Sequence, residues 1–164
     1  MSGTCVVVAD AGRARLYWVD PGRRTDGQQV PTLVECRDLL NLGRRAQDSQ
    51  IFSNSRPGIQ RAYHGGPSHG VDDHRAQNLN DEDRRFAQTI MADLAKETAE
   101  RGADTVIVAA SPNLLGLIRP HFSALKHAHL TVVDMAKDLT PMSAPELHDY
   151  LAREELVPPR VRLS

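Results

Sequence analysis

The chain has no apolar run long enough to cross a bilayer. Runs such as Thr105–Ala110 and Leu114–Ile118 are among the longest, against roughly 18 residues for a span, so membrane insertion is not expected. The first thirty residues lack a basic start, an apolar central stretch and a small-residue cleavage site. They reach Asp10, Arg13 and Arg15 almost at once, which predicts a cytoplasmic protein. Cysteine is scarce as well: Cys5 and Cys36 are too far apart to form a motif, and both are read as buried thiols. Net charge is nearly absent, with 20 Lys and Arg against 21 Asp and Glu. That balance excludes a protein whose whole surface wraps nucleic acid and requires any basic site to be local. Gly-x-Ser-x-Gly, P-loop, Cys-x-x-Cys and His-Glu-x-x-His patterns are all missing, which removes the common hydrolase, nucleotide, redox and zinc-protease readings. No enzyme is visible in these motifs, and no cofactor is expected.

What remains is a globular composition, 40% hydrophobic and 25% charged in 164 residues, the size of one domain. Thr4–Ala9 is a β-branched run and Ala14–Val19 alternates, with Asp10-Ala11-Gly12-Arg13 as the turn between them, so a hairpin is predicted. Val30–Cys36, broken by Pro31, is expected to be an edge strand. Asn80 reads as the cap of a helix with Asp81, Glu82 and Asp83 in its first turn and Phe86, Ile90 and Leu94 on its buried face. That helix stops at Arg101-Gly102. Asp104–Ala110 is a buried strand, and Ser111-Pro112 opens a helix that Pro120 must kink or restart. Leu130–Asp134 is the last strand, and Ser143 with Glu146 forms a capping box for a closing helix.

Three strands on short turns, then helix, strand, helix, strand, helix, predict an α/β fold with a mixed five-stranded sheet flanked by about three helices. This is the element order of ribonuclease H-like folds. Residues 1–157 are expected to form this single domain and 158–164 a loose tail.

Residues 41–79 carry scattered Gly and Pro and almost no periodic apolar signal. Loops longer than about 15 residues are functional or disordered, so this stretch is the first place to look for chemistry. Between Arg44 and Val71 stand Arg44, Arg45, Arg56 and Arg61 against one acid, Asp48. With Arg13 and Arg15 on the hairpin, these guanidinium groups are candidates to grip an RNA backbone bidentately, and Gly65-Gly66 would let main chain approach a ligand closely. The chain holds 17 Arg and 3 Lys in all, so a solvated loop in an arginine-biased sequence fits the same residues.

His64, His69 and His74 recur every five residues, enough imidazoles for a catalytic zinc but on no common face. Asp10 and Asp134 end two strands and would form a two-metal nuclease site if Glu35 or Asp38 added a third carboxylate. Asp10-Ala11-Gly12 also has the form of the Asp-x-Gly phosphate loop of actin-like ATPases, although Asp and Gly are the ordinary residues of a hairpin turn.

The succession VVVADAGRARLYWVD, the Gly-rich loop leading into DEDRRFAQTIMADL, then DTVIVAASPNLLGLIRPHF and VDMAKDLTPMSAPELHDYL resembles the bacterial host attachment protein family, over most of the chain. The more specific pieces are residues 111–119 and Lys137-Asp138-Leu139-Thr140. The family in turn is similar to the middle domain of archaeal and eukaryotic peptide chain release factors. This likeness implies a ribonuclease H-like fold and binding to the ribosome, rRNA or tRNA. Where those factors carry Gly-Gly-Gln, this chain has Gly65-Gly66-Pro67-Ser68-His69. It lacks the amide side chain that helps place water, and His69 is left as a candidate base. The resemblance therefore favours a non-catalytic binding factor with an indirect role in attachment. A hydrolase and a protein-interaction module are the alternatives.

Overall fold

The computed structural model describes residues 3–22, 26–27, 30–44, 69–127 and 129–160, with side chains from 77 onward in the first helix. Five strands form one sheet: β1 (Thr4–Ala9), β2 (Arg13–Asp20), β3 (Thr32–Leu40), β4 (Thr105–Ala110) and β5 (Thr131–Met135), ordered β3-β2-β1-β4-β5. The pairings β1–β2 and β2–β3 are antiparallel; β1–β4 and β4–β5 are parallel. The α-helices are α1 (His69–Arg101), α2 (Pro112–Ile118), α3 (Phe122–His127) and α4 (Ala144–Arg153).

The sheet is covered on both faces. Cys5, Val7, Ala9 and Leu16 point toward Phe86, Ile90 and Leu94 of α1 and toward Leu114, Leu115 and Ile118 of α2. Val6, Val8, Tyr17 and Leu33 point the other way, toward Leu147 and Leu151 of α4. A strand buried on both sides has no polar positions to give, which is why β1 and β4 read as unbroken apolar runs. Each fully buried Val, Leu or Ile contributes roughly 1.5–3 kcal/mol.

Several local signals act as expected. Pro120 sits in a 3₁₀ turn, Arg119–His121, that separates α2 from α3, so that among the described residues the part predicted as one kinked helix is two. Ser143 caps α4, its Oγ accepting from the Glu146 amide at 3.3 Å, whereas Ser111 occupies the cap position of α2 with no side-chain bond. Gly102, just past α1, has φ 65°, the left-handed conformation that ends helices at glycine.

Other expectations change. The first helix begins at His69, not after Asn80, so residues 69–79 are helical rather than loop. Once a helix is nucleated, polar residues extend it without an apolar stripe. The acidic triplet serves side-chain partners instead of a helix end: Asp81 pairs with Arg84, Glu82 with Arg85, and Asp83 with Arg44. β3 runs on to Leu40 because Arg37 and Asp38 find partners in Glu97 and Arg13. Cys36 lies at a bulge between the Leu16–Arg37 and Tyr17–Glu35 pairs and is only partly covered, unlike Cys5. Burial pushes the Cys5 thiol up to about 12. The expected loose tail is held through Arg160: the Pro158 carbonyl lies 2.8 Å from His148 Nε2, and Arg160 makes two bonds to Asp149.

Candidate functional site at the carboxyl end of the sheet

β1 leaves the sheet at Ala9 and reverses through Asp10. The Asp10 Oδ1 accepts from the amides of Gly12 and Arg13, both at 2.8 Å, and the Asp10 amide donates to the Arg13 carbonyl. Those two amides are therefore occupied by the turn's own carboxylate and are not directed at a phosphate, so this is an Asx turn rather than a phosphate loop.

Against this turn stands Asn41, only 4% exposed. Its amide N–H donates to the Gly12 carbonyl at 3.0 Å, and its Nδ2 donates to the Ala11 carbonyl at 2.8 Å and to Asp83 Oδ1 at 3.1 Å. Its Oδ1 accepts from the Arg44 amide, while Arg44 Nη1 reaches Asp83 Oδ2 at 2.8 Å. A Cβ on Gly43 would collide with the Glu82 carboxylate, so a larger residue there would have to displace that side chain. One buried asparagine thus ties the β1–β2 turn, the exit of β3 and the flank of α1 into a latch. Polar groups at that depth are costly unless satisfied, and here both the donor and the acceptor side of the amide are used.

The sequence reading does not single out Asn41 or the part Asp83 plays in the latch. Asn41 carries a readable signal: an Asn three residues before a backbone amide it accepts from is an N-cap arrangement, and residues 42–44 make the helical turn it caps. Asp83 gives no local signal, because its partners lie about forty residues earlier.

The basic residues of the hairpin are paired. Arg13 makes two bonds to Asp38, and Arg15 makes two to Glu35. Arg15 also lies over the Tyr17 ring, 5.4 Å from its centre. Each carboxylate hydrogen bond holds its guanidinium even more firmly protonated than usual. Arg44 belongs to the latch. Arg45, Arg56, Arg61, His64, Gly65 and Gly66 lie outside the described residues, as do the side chains of His69 and His74.

Asp10 and Asp134 are not brought together. Asp134 aligns with Val108, which aligns with Val7, so Asp10 stands two strands over and three residues further along. That is roughly 14 Å between Cα atoms, far beyond the reach of carboxylates sharing a two-metal centre. They also face opposite sides: Asp10 Oδ2 lies 3.4 Å from Thr140 Oγ1, ahead of α4, while Asp134 pairs with Arg119 beyond α2. Glu35 and Asp38 are the arginine partners named above. Among the described residues, no three His, Cys, Asp or Glu side chains gather as a metal site.

The two specific sequence segments are explained largely by packing. Leu114, Leu115 and Ile118 fill the core beneath α2. Leu139 is buried beside α4, Asp138 accepts from the Thr140 amide and hydroxyl, and Lys137 Nζ donates to the Tyr150 hydroxyl at 2.9 Å.

No helix among the described residues is long and apolar enough to cross a membrane. No curated protein matches the chain significantly. A family model does, over residues 5–151, from the first strand to the last helix, and its description is a protein required for attachment to host cells. With the match covering nearly the whole described fold, the chain belongs to this host attachment family.

Proposed function

We propose that the protein is a non-catalytic, cytoplasmic factor that binds RNA, on the ribosome, through the basic Gly-rich segment 45–68, and that its role in attachment is indirect. The observation that carries this reading is the latch. The segment enters at Arg44, and α1 returns to the same place at Asp83, so both bind one asparagine. A helix rises 1.5 Å per residue, so the fourteen steps from His69 to Asp83 extend about 21 Å along α1 before the latch. The segment with the chain's local excess of arginine is therefore fastened to a rigid base at one end and to a long helix at the other. In this reading the fold is ribonuclease H-like, the segment stands where release factors carry Gly-Gly-Gln, and Pro67 and Ser68 in place of glutamine leave binding without hydrolysis.

The test is sedimentation of tagged protein from gently lysed cells at low and high salt, with and without ribonuclease. Migration with a ribosomal subunit is expected, and it should be lost at high salt because phosphate contacts release counterions. Arg56→Ala with Arg61→Ala should weaken binding and flatten its salt dependence, with a slope change of about 0.7–0.9 for each phosphate no longer neutralised. Free migration under every condition overturns the proposal. An association that survives ribonuclease and high salt would favour a protein-interaction module instead. Leu42 at 70% exposed and Leu40 at 43%, beside the edge strand, supply an apolar surface for that reading.

A further inference from the structure

On the flank of α1 that faces α2, a groove of about 210 Å³ opens between that helix and the α2–Pro120 turn, lined by Arg84, Gln88, Gly116, Leu117, Pro120 and His121. Gly116 lies inside α2, where glycine weakens a helix relative to alanine. Nothing in the packing requires it, because no atom lies within 4 Å of where its Cβ would stand. What the missing side chain does is keep the groove open. The remaining lining is mixed in a particular way. Leu117 and Pro120 offer apolar contact, His121 a flat ring, Gln88 a paired donor and acceptor, and Arg84 a cation. The Arg84 pairing with Asp81 is a single 3.3 Å contact between exposed side chains, 63% and 49%, a weak interaction that a competing anion can displace.

From this lining we infer that the groove holds one purine base, adenine, with its phosphate toward Arg84. A volume below the roughly 300–1,000 Å³ of ordinary ligand pockets suits a single ring system rather than a larger substrate. An unstacked base is recognised by packing its face on apolar and planar side chains and by hydrogen bonds to its edge. An amide such as Gln88 pairs bidentately with adenine N6 and N7. Arg84 and Gln88 of the groove follow Asp83 along the same helix, and in the RNA-binding reading proposed above an unpaired base of the bound strand occupies it. In that form the inference rests on the proposed function, and a free adenine nucleotide is the other source of the same chemistry.

The experiment is fluorescence-anisotropy titration of the full chain with labelled short oligoadenylate and oligouridylate, alongside AMP as a competitor. The variants are Gly116→Leu, Gln88→Ala and the Arg56→Ala/Arg61→Ala pair. Gly116→Leu should weaken oligoadenylate binding about tenfold or more, and Gln88→Ala should erase a preference for oligoadenylate over oligouridylate of similar size. Both positions are solvent-exposed, and Gln88→Ala keeps the test valid if Gly116→Leu folds poorly. Unchanged affinity and base preference in the groove variants, with binding lost in the arginine pair, overturns the groove and keeps the basic segment. AMP binding that Gly116→Leu abolishes, with no oligonucleotide bound, keeps the groove as a nucleotide site and overturns the RNA reading. Binding of neither probe overturns the inference.

Discussion

The two halves of the sheet, joined at β1, are built on different terms. In the parallel half, the interior residues of β1 and β4 are almost free of solvent on both faces: Val6, Val7, Val8, Val106, Ile107 and Val108 are all 0% exposed. In the antiparallel half, β2 and β3 alternate, and polar positions are filled by arginine–carboxylate pairs, Arg13 with Asp38, Arg15 with Glu35 and Arg37 with Glu97. Burial holds the first half together. Pairing makes the second tolerable at an edge and neutralises the charge it carries. The contrast shows that arginine content alone does not locate a polyanion site: the hairpin arginines and Arg44 have carboxylate partners, whereas Arg45, Arg56 and Arg61 stand in a stretch of sequence with one acid, Asp48.

Substitutions that probe each half should differ in size. Ile107→Ala in β4 should cost about 2–5 kcal/mol, the sum of lost transfer energy and a cavity that cannot collapse, read as a lower urea midpoint. Asn41→Ala at the antiparallel end should cost about 1–3 kcal/mol, because it strands the Ala11 carbonyl and removes a donor from Asp83. A cost as large as that of Ile107→Ala would mean that the latch holds the core and does not merely fasten a segment to it.

The smallest effect is set by pH. Arg101 first, then Arg37, hydrogen-bond Glu97 and hold its carboxyl below the usual glutamate range. A depressed native value stabilises the fold above the unfolded value, about 4.3, and that contribution is lost as pH falls through the native value. Glu97→Gln should therefore be less stable than the parent protein at pH 7 by about 1 kcal/mol, and the difference should vanish as the pH drops below 4. A gap that persists in acid would mean that Glu97 acts by packing and not by charge.

The parts of the fold legible in the sequence are those whose causes are local. The Asp10 turn, the Pro120 break, the Ser143 cap and the Gly102 stop each depend on residues within a few positions. The start of α1 at His69 is the opposite case. Asn80 followed by three acids is a good cap signature, but their partners, Arg44 among them, make them side-chain anchors within the helix. The extension of β3 past Cys36 likewise depends on Glu97, some sixty residues later. The site divides in the same way: the Arg44–Val71 charge excess is visible, whereas the latch joins residues about forty positions apart. The docking of Arg160 on Asp149 is invisible because tail residues carry no period to read.

The order of the strands also bears on how the chain is made. β1 and β2 pair within the first twenty residues, but the other edge of β1 waits for β4, since Thr4 pairs with Thr105. Pairings that distant slow folding, and until they form a newly synthesised chain exposes the edge of TCVVVA, a short apolar strand open to pairing with another chain. Chains truncated before β4 should therefore associate through β1, and the yield of soluble protein should depend on how fast residues 105–110 arrive.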